Sequence, residues 1–402
     1  VGAPARAGVT SLPDGGPSWR RADEGAAMTA HDDPFEEMLT ELARRREEFR
    51  DLRHVPKDFV DRLKRLGLYR SSAPQRFGGE PMPPADFLRR IERISAVDGS
   101  TGWVASFGCA LVYLGSLPLD TQARLYADGP DVVLAGGLFP VQEATPTRHG
   151  FLLNGRWKFA SGCVAADILV VGIPGDDSTS GKPRGALVPP ERLRVVRDWD
   201  VVGMQATGSF DLVAEDVEVA REWTFIRGGA PVIDEPLYRY PAITYSAQAL
   251  AVVSAGVARA ALDLAEGTGA GRAGITGAPK LADRAYYRAG IAEAEAALRS
   301  ARAYFYEATG EAWQAVTDGG AVSDEQNAHL RLSAAHLARV GAEVVAKVVS
   351  LSGTAAIHRA HPLPALLGDV MVVQEHAFLS PAMYDAAGAV LMGRPPTVPA
   401  FR

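Results

Sequence analysis

Apolar and polar positions along the chain fall into three textures. From Pro34 to Leu68 apolar residues recur at helical spacing (Phe35, Leu39 and Leu42, then Phe59, Leu63 and Leu66), and a break at Val55-Pro56 divides them into two helices. A Gly/Pro-rich stretch from Pro74 to Pro84 reads as a loop, and Asp86 to Ser95 resumes a helix ahead of Asp98-Gly-Ser-Thr-Gly-Trp103. Between Val132 and Val219 the pattern changes to short apolar runs, such as Phe151 to Leu153, Ile168 to Gly172 and Leu212 to Val219, parted by Gly, Pro, Asn and Asp. Such runs predict a β-rich unit. From Tyr240 the helical period returns, as where Leu337, Val340, Val344 and Val348 step along one face, with loops at 268–279, 317–323 and 352–364. The order predicts an α+β fold: an N-terminal helical domain over 28–130, a central β-barrel or sandwich domain over 131–225, and a C-terminal four-helix bundle over 226–396. Tails at 1–27 and 397–402 flank it, and a cleft is expected where the three parts meet.

Composition narrows the class. With 402 residues, 47% of them hydrophobic and 22% charged, the chain can bury large cores, which excludes disorder, collagen and small disulfide scaffolds. The 42 basic and 48 acidic residues leave a net charge of -6 with no basic block, so no nucleic-acid partner is expected. Cys109 and Cys163 are too few for a CxxC zinc site or a disulfide framework and fit a reducing cytoplasm. The run from Ala242 to Ala258 carries Thr244, Ser246, Gln248 and Ser254 and ends at Arg259, which predicts a buried helix rather than a membrane span. Residues 1–27 are rich in Gly, Pro and Ala, read as a flexible tail, and contain no apolar segment of secretory length.

Several motifs bear on chemistry. Gly269, Gly271 and Gly274 form a GxGxxG string, but it follows a helical segment rather than a strand and reads as an interhelix loop. His358 and His361 lie three apart beside Pro362 and Pro364, without an acidic or cysteine neighbour, so no metal is expected. His376, in an apolar stretch beginning at Asp369, is either a satisfied core histidine or a proton-transfer group. The segment Asn154 to Cys163 reads as a turn, a strand with Trp157 and Phe159, and a Ser161-Gly162 exit. That exit is either a plain hairpin end or a place where a hydroxyl and an N–H meet a planar cofactor. The loop Gly203 to Asp211 gathers small residues with the hydroxyls of Thr207 and Ser209; it is either a surface turn or a close approach for a large ligand.

Six strings, in order, are Arg76-Phe-Gly-Gly79, Ser100-Thr-Gly-Trp103, Gly155-Arg-Trp-Lys-Phe-Ala-Ser161-Gly162, the Gly203 to Asp211 loop, Gly353-Thr-Ala-Ala356, and Asp369-Val with His376 seven residues after that Asp. On this α-β-α background the chain from Met28 to Pro396 resembles the acyl-CoA dehydrogenase fold, and within it the two-component flavin-dependent monooxygenases. Two departures from the dehydrogenases favour that branch. Where they carry a catalytic glutamate, Tyr384-Asp385-Ala386-Ala387 offers a carboxylate one methylene shorter, and Arg272-Ala-Gly-Ile replaces their flavin-binding Arg-x-x-Phe-Gly.

The resemblance implies roles. Ser161 would stand beside flavin N5 and protect a C4a-hydroperoxide. His376 would act as general base on a phenol or similar substrate, or assist peroxide formation and breakdown, titrating near its ordinary ~6.5. Trp103 and Trp157 would be flavin or substrate walls, with core packing the alternative; Ser106 would join Trp103 and His376 on the substrate side. Gly162 would meet the flavin, Thr207 and Ser209 the flavin or the substrate, and Ser352, Gly353 and Thr354 would reach a flavin phosphate of a neighbouring subunit in a homotetramer. The implied function is the oxygenase component of a monooxygenase that takes reduced FMN or FAD from a separate NAD(P)H-flavin reductase. With O2 it would hydroxylate an aromatic or polycyclic small molecule through a C4a-hydroperoxyflavin. Alternatives are N-oxygenation of an amine or amino sugar, an acyl-CoA dehydrogenase with Asp385 as base, or a non-catalytic binding subunit.

Overall fold

A computed structural model describes residues 33–269, 279–398 and 401. The tail read at 1–27, and Gly271, Arg272 and Gly274, lie outside the described residues.

Helix α1 (Pro34–Leu52) starts at Asp33, whose carboxylate accepts from the Phe35 N–H, and α2 (Lys57–Arg65) starts after Pro56, which cannot extend a helix backwards. Helices α3 (Pro84–Val97), α4 (Gly99–Ser106) and α5 (Leu119–Leu125) complete the N-terminal part, with a 3-10 stretch over Phe107–Ser116. The α3–α4 corner is made by Asp98, which accepts at 2.7 Å from both the N–H and the Oγ1–H of Thr101 and so caps α4.

The middle of the chain forms two four-stranded sheets. One has the order β1 (Leu134–Gly137), β4 (Ile168–Ile173), β5 (Arg184–Val188), β8 (Thr224–Ile226), and only β1 and β4 run parallel. The other has the order β2 (Ala144–Pro146), β3 (Gly150–Ala160), β7 (Phe210–Ala220), β6 (Arg194–Val196) and is antiparallel throughout. Leu153, Trp157, Leu169, Val171, Phe210 and Leu212 fill the space between them.

After the short α6 (Pro236–Arg239) come α7 (Ala242–Gly269), α8 (Ala285–Thr317), α9 (Asp324–Ser352), α10 (Pro362–Gln374) and α11 (Ala382–Leu391). Helix α7 is long and apolar enough to cross a membrane by length and composition, yet 78% of its most apolar window is buried inside the fold, where it packs on α3 and α9. Small residues let it approach closely: a side chain at Gly256 would lie 2.3 Å from the Glu92 carbonyl, and one at Gly341 of α9 would lie 2.7 Å from Ser254. A capping box between Ser323 and Gln326 opens α9. Phe401, in the segment read as a tail, is buried against α9 and α11.

Candidate active site

Three elements converge at the exit of β3. Gly162 adopts φ 74°, where a side chain would be strained, and its N–H donates to the Thr207 carbonyl at 2.8 Å. The loop carrying Thr207 is pinned from several directions. The Met204 N–H donates to Asp369 Oδ1 of α10 at 2.6 Å, the Ala206 N–H to Ser100 Oγ of α4 at 3.2 Å, and the Trp199 indole to the Met204 carbonyl at 2.9 Å. A side chain at Gly203 would sit 2.0 Å from the Gly368 backbone, so loop and α10 touch main chain to main chain.

A row of hydroxyls crosses this junction. Thr207 Oγ1 donates to the Met204 carbonyl at 2.9 Å, and Ser209 Oγ lies 2.6 Å from both Thr207 Oγ1 and Ser161 Oγ. Each hydroxyl has one proton. With the Thr207 proton committed to Met204, Ser209 donates to Thr207 and Ser161 donates to Ser209. The Trp103 indole N–H then donates to Ser161 Oγ at 3.2 Å. The row therefore has one direction, and Ser161 keeps a lone pair but no free proton.

Trp103 meets the His376 ring edge-on, centroids 5.7 Å apart. His376 lies just beyond α10, half-buried, and its Nδ1 accepts from the Phe378 N–H at 3.2 Å, which assigns its ring proton to Nε2. Burial, and then the charges of Arg227 and Arg331, push its pKa down from 6.5 to about 4. At neutral pH it is a neutral Nε2–H donor, a weaker base than the ordinary value implies. Phe378 stands 5.1 Å from His376, with the Arg227 and Arg331 guanidinium carbons 5.0 and 5.2 Å from its centroid. Behind the loop, burial and then the nearby Asp98 carboxylate push buried Asp369 up to about 7.

Comparison with known proteins decides the family. The chain matches the acyl-CoA dehydrogenase N-terminal domain over residues 33–118 and the acyl-CoA dehydrogenase C-terminal domain over 248–381. It is 49% identical over 350 residues to an indole-3-acetate monooxygenase of Pseudomonas putida, covering 87% of this chain and 90% of that one. The chain belongs to the acyl-CoA dehydrogenase superfamily, among its flavin-dependent monooxygenases. A second relative, the oxygenase component of an FADH2-dependent resorcinol hydroxylase of a Rhizobium species, is 32% identical over 53% of this chain and 55% of its own. The crystal structure of a 3-HSA hydroxylase from Rhodococcus superposes with a TM-score of 0.84 at 25% identity, covering 92% of this chain and 98% of that one. As an oxygenase component, the enzyme uses reduced flavin and O2 and depends on a separate reductase.

The oxygenase's own residues fit a flavin at this junction. Ser161 can accept an N–H, as the reduced ring offers, without breaking the hydroxyl row. Beside it Phe159 is 65% exposed, because a register shift between Trp157 and Ala160 and a φ of 60° turn its ring out of the sheet. Sequence alternation carries no sign of this, since Phe159 shares its parity with Trp157. Trp157 itself is corrected from a ligand wall to core: it is fully buried between the sheets, its indole N–H donating to the Gly172 carbonyl at 2.7 Å.

Ser161, Gly162, Thr207, Ser209, Trp103 and His376 are brought together. Ser106 is buried nearby, its proton committed to the Trp103 carbonyl at 2.7 Å, so it can only accept from a ligand. Ser352, Gly353 and Thr354 lie apart at the end of α9; Ser352 donates to the Val348 carbonyl, and no hydrogen bond or ring contact among the described residues joins them to the hydroxyl row. Asp385 is exposed on α11 and accepts from Thr397 at 2.6 Å, away from the row, which removes the basis for a dehydrogenase base there. Arg227, Arg331 and Phe378 were not legible as site residues, because only the fold brings β8's end, the first third of α9 and the segment after α10 to one place.

Proposed function

We propose that the oxygenase hydroxylates an aromatic acid of the indole-3-acetate type, with the ring along Trp103 and His376 and the flavin against Ser161, Thr207 and Ser209. The observation that carries this is the Trp103-to-Ser161 hydrogen bond, which joins an aromatic wall to an oriented hydroxyl row within one hydrogen-bond length. The 49% identity over most of the chain supports the substrate class. Reduced flavin, when bound, supplies the activation of O2. Ser161 holds an N–H of the ring through its free lone pair. Trp103 keeps Ser161 oriented and closes the pocket to water, and His376 offers its Nε2–H toward the reacting groups. One oxygen atom enters the substrate and the other leaves as water, two electrons coming from the flavin. The chain works in the cytoplasm as a homotetramer, in which Ser352, Gly353 and Thr354 reach a neighbouring subunit's flavin phosphate, and its division at residues 130 and 225 separates three units around the cleft.

The test supplies reduced FMN or FAD, O2 and indole-3-acetate to the purified oxygenase and measures product with one added oxygen against H2O2 released. Ser161→Ala should divert most turnover to H2O2, and His376→Ala should lower hydroxylation at least tenfold, a typical loss for one proton-handling group being about 100-fold or more. Fully coupled turnover in both variants would refute the assignment.

A further inference from the structure

Arg331, in the first third of α9, is a cation with no counter-charge among the described residues. Its side chain is fully buried; Nη2 donates to Met383 Sδ at 2.8 Å, while Nε and Nη1 have no hydrogen-bond partner. The faces of Phe378 and Phe401 lie 5.2 and 5.6 Å from its guanidinium carbon. Arg227, after β8, approaches Phe378 at 5.0 Å and pairs with no carboxylate among the described residues. The Tyr113 hydroxyl, buried beside Ser246, feels the charge of both arginines. Aromatic faces soften the burial of a guanidinium but leave its in-plane donors unsatisfied, and unpaired buried donors are costly to keep. Two arginines without a carboxylate therefore meet at Phe378, across His376 and Trp103 from Ser161.

We propose that Arg331 and Arg227, with the Tyr113 hydroxyl, form the subsite for the carboxylate of an aromatic acid whose ring lies along Phe378, His376 and Trp103 toward Ser161. Nε of Arg331 shares its edge with the Nη2 that Met383 holds, so Nε and Nη1 each offer a carboxylate oxygen a single charge-assisted hydrogen bond. The subsite sets specificity and touches none of the reacting atoms. It rests on the substrate class proposed above.

The experiment titrates the enzyme, loaded with reduced flavin under anaerobic conditions, with indole-3-acetate and with neutral indole-3-acetamide, and then measures hydroxylation of each. Wild type should bind the acid about 10- to 100-fold more tightly than the amide, the range for a charge-assisted hydrogen bond. Arg331→Met should collapse that preference through Kd and KM, with kcat at saturation changed far less, and Arg331→Lys should restore part of it. Arg227→Met, at a half-buried position, should reduce the preference as well and decides the matter if Arg331→Met does not fold. Equal binding of acid and amide by wild type, with both hydroxylated, would overturn the subsite and leave the oxygenase assignment standing. So would an unchanged acid-to-amide ratio in the folded arginine variants. Hydroxylation of neither compound by wild type would overturn the substrate class and the subsite together.

Discussion

Asp369 offers the sharpest test of how the active-site loop is held. The carboxyl is buried, its Oδ1 accepts from the Met204 N–H at 2.6 Å, and its Oδ2 would lie 2.9 Å from any side chain placed at Gly99. Burial first, and then the Asp98 carboxylate, raise its pKa from an ordinary 3.8 to about 7. In the folded state it keeps a proton that the unfolded chain releases, so between those two values folding takes up a proton. Stability from this group is complete below the unfolded value and is lost as the pH rises through the folded one. A tenfold change in proton affinity is worth about 1.4 kcal/mol, so the distance between the two values sets an upper bound of roughly 4 kcal/mol. Asp369→Asn retains the acceptor for Met204 and cannot ionise. It should match wild type within about 1 kcal/mol at pH 4 and exceed it by a few kcal/mol at pH 8. The opposite linkage from His376 is common to both proteins and cancels in the difference. Urea unfolding of the two proteins from pH 4 to 8 measures this, and a stability difference that stays constant with pH would refute the reasoning. Asp369→Ala, which leaves the buried Met204 N–H without an acceptor, should instead lose about 1–3 kcal/mol even at pH 4.

His376 titrates in the other direction. Its pKa falls from 6.5 to about 4 on folding, so the stability it contributes is present above 6.5 and is lost as the pH drops toward 4. Substrate-free enzyme should show no protonation of this ring near pH 6.5 by NMR of the imidazole; a midpoint there would contradict the burial of the ring and the added field of Arg227 and Arg331. Phe159→Ala should weaken binding of reduced FMN or FAD several-fold while changing the unfolding midpoint little, since the ring is 65% exposed. A large stability loss with unchanged flavin affinity would make it a packing residue.

Periodicity sufficed for the frame because burial follows it. The break at Pro56, the loop before Ser323 and the apolar face of α9 are all visible in the order of residue types, and each is a backbone requirement or a core stripe. The hydroxyls of Ser161, Thr207 and Ser209 were legible as a possible site because small polar residues beside glycines allow close approach. Their orientation was not, since it depends on an indole donated from α4 and a carbonyl within the loop. Trp157 lies in the core and Phe159, which had no expected role, is the exposed ring, because one register shift overrides strand alternation. Asp369 stood in a recognisable string, but its bond to Met204 spans 165 residues, a separation that no local pattern carries.

These features make the site polar along its length. At one end Ser161 can only accept, which suits an N–H and disfavours a second acceptor there. At the other, Arg227 and Arg331 present positive charge with no carboxylate partner among the described residues, and burial, with that charge second, holds His376 neutral. An anion placed between the arginines would cancel their part in lowering the His376 pKa, leaving only burial. The histidine would then become a better base when an acidic substrate is in place, and remain a weak one when the pocket is empty or holds a neutral compound. Substrate charge would thus be read twice, in affinity through Arg331 and in proton transfer through His376. An acid and its amide should accordingly differ in the pH dependence of kcat as well as in Kd, with the acid limb for the carboxylate compound at the higher pH.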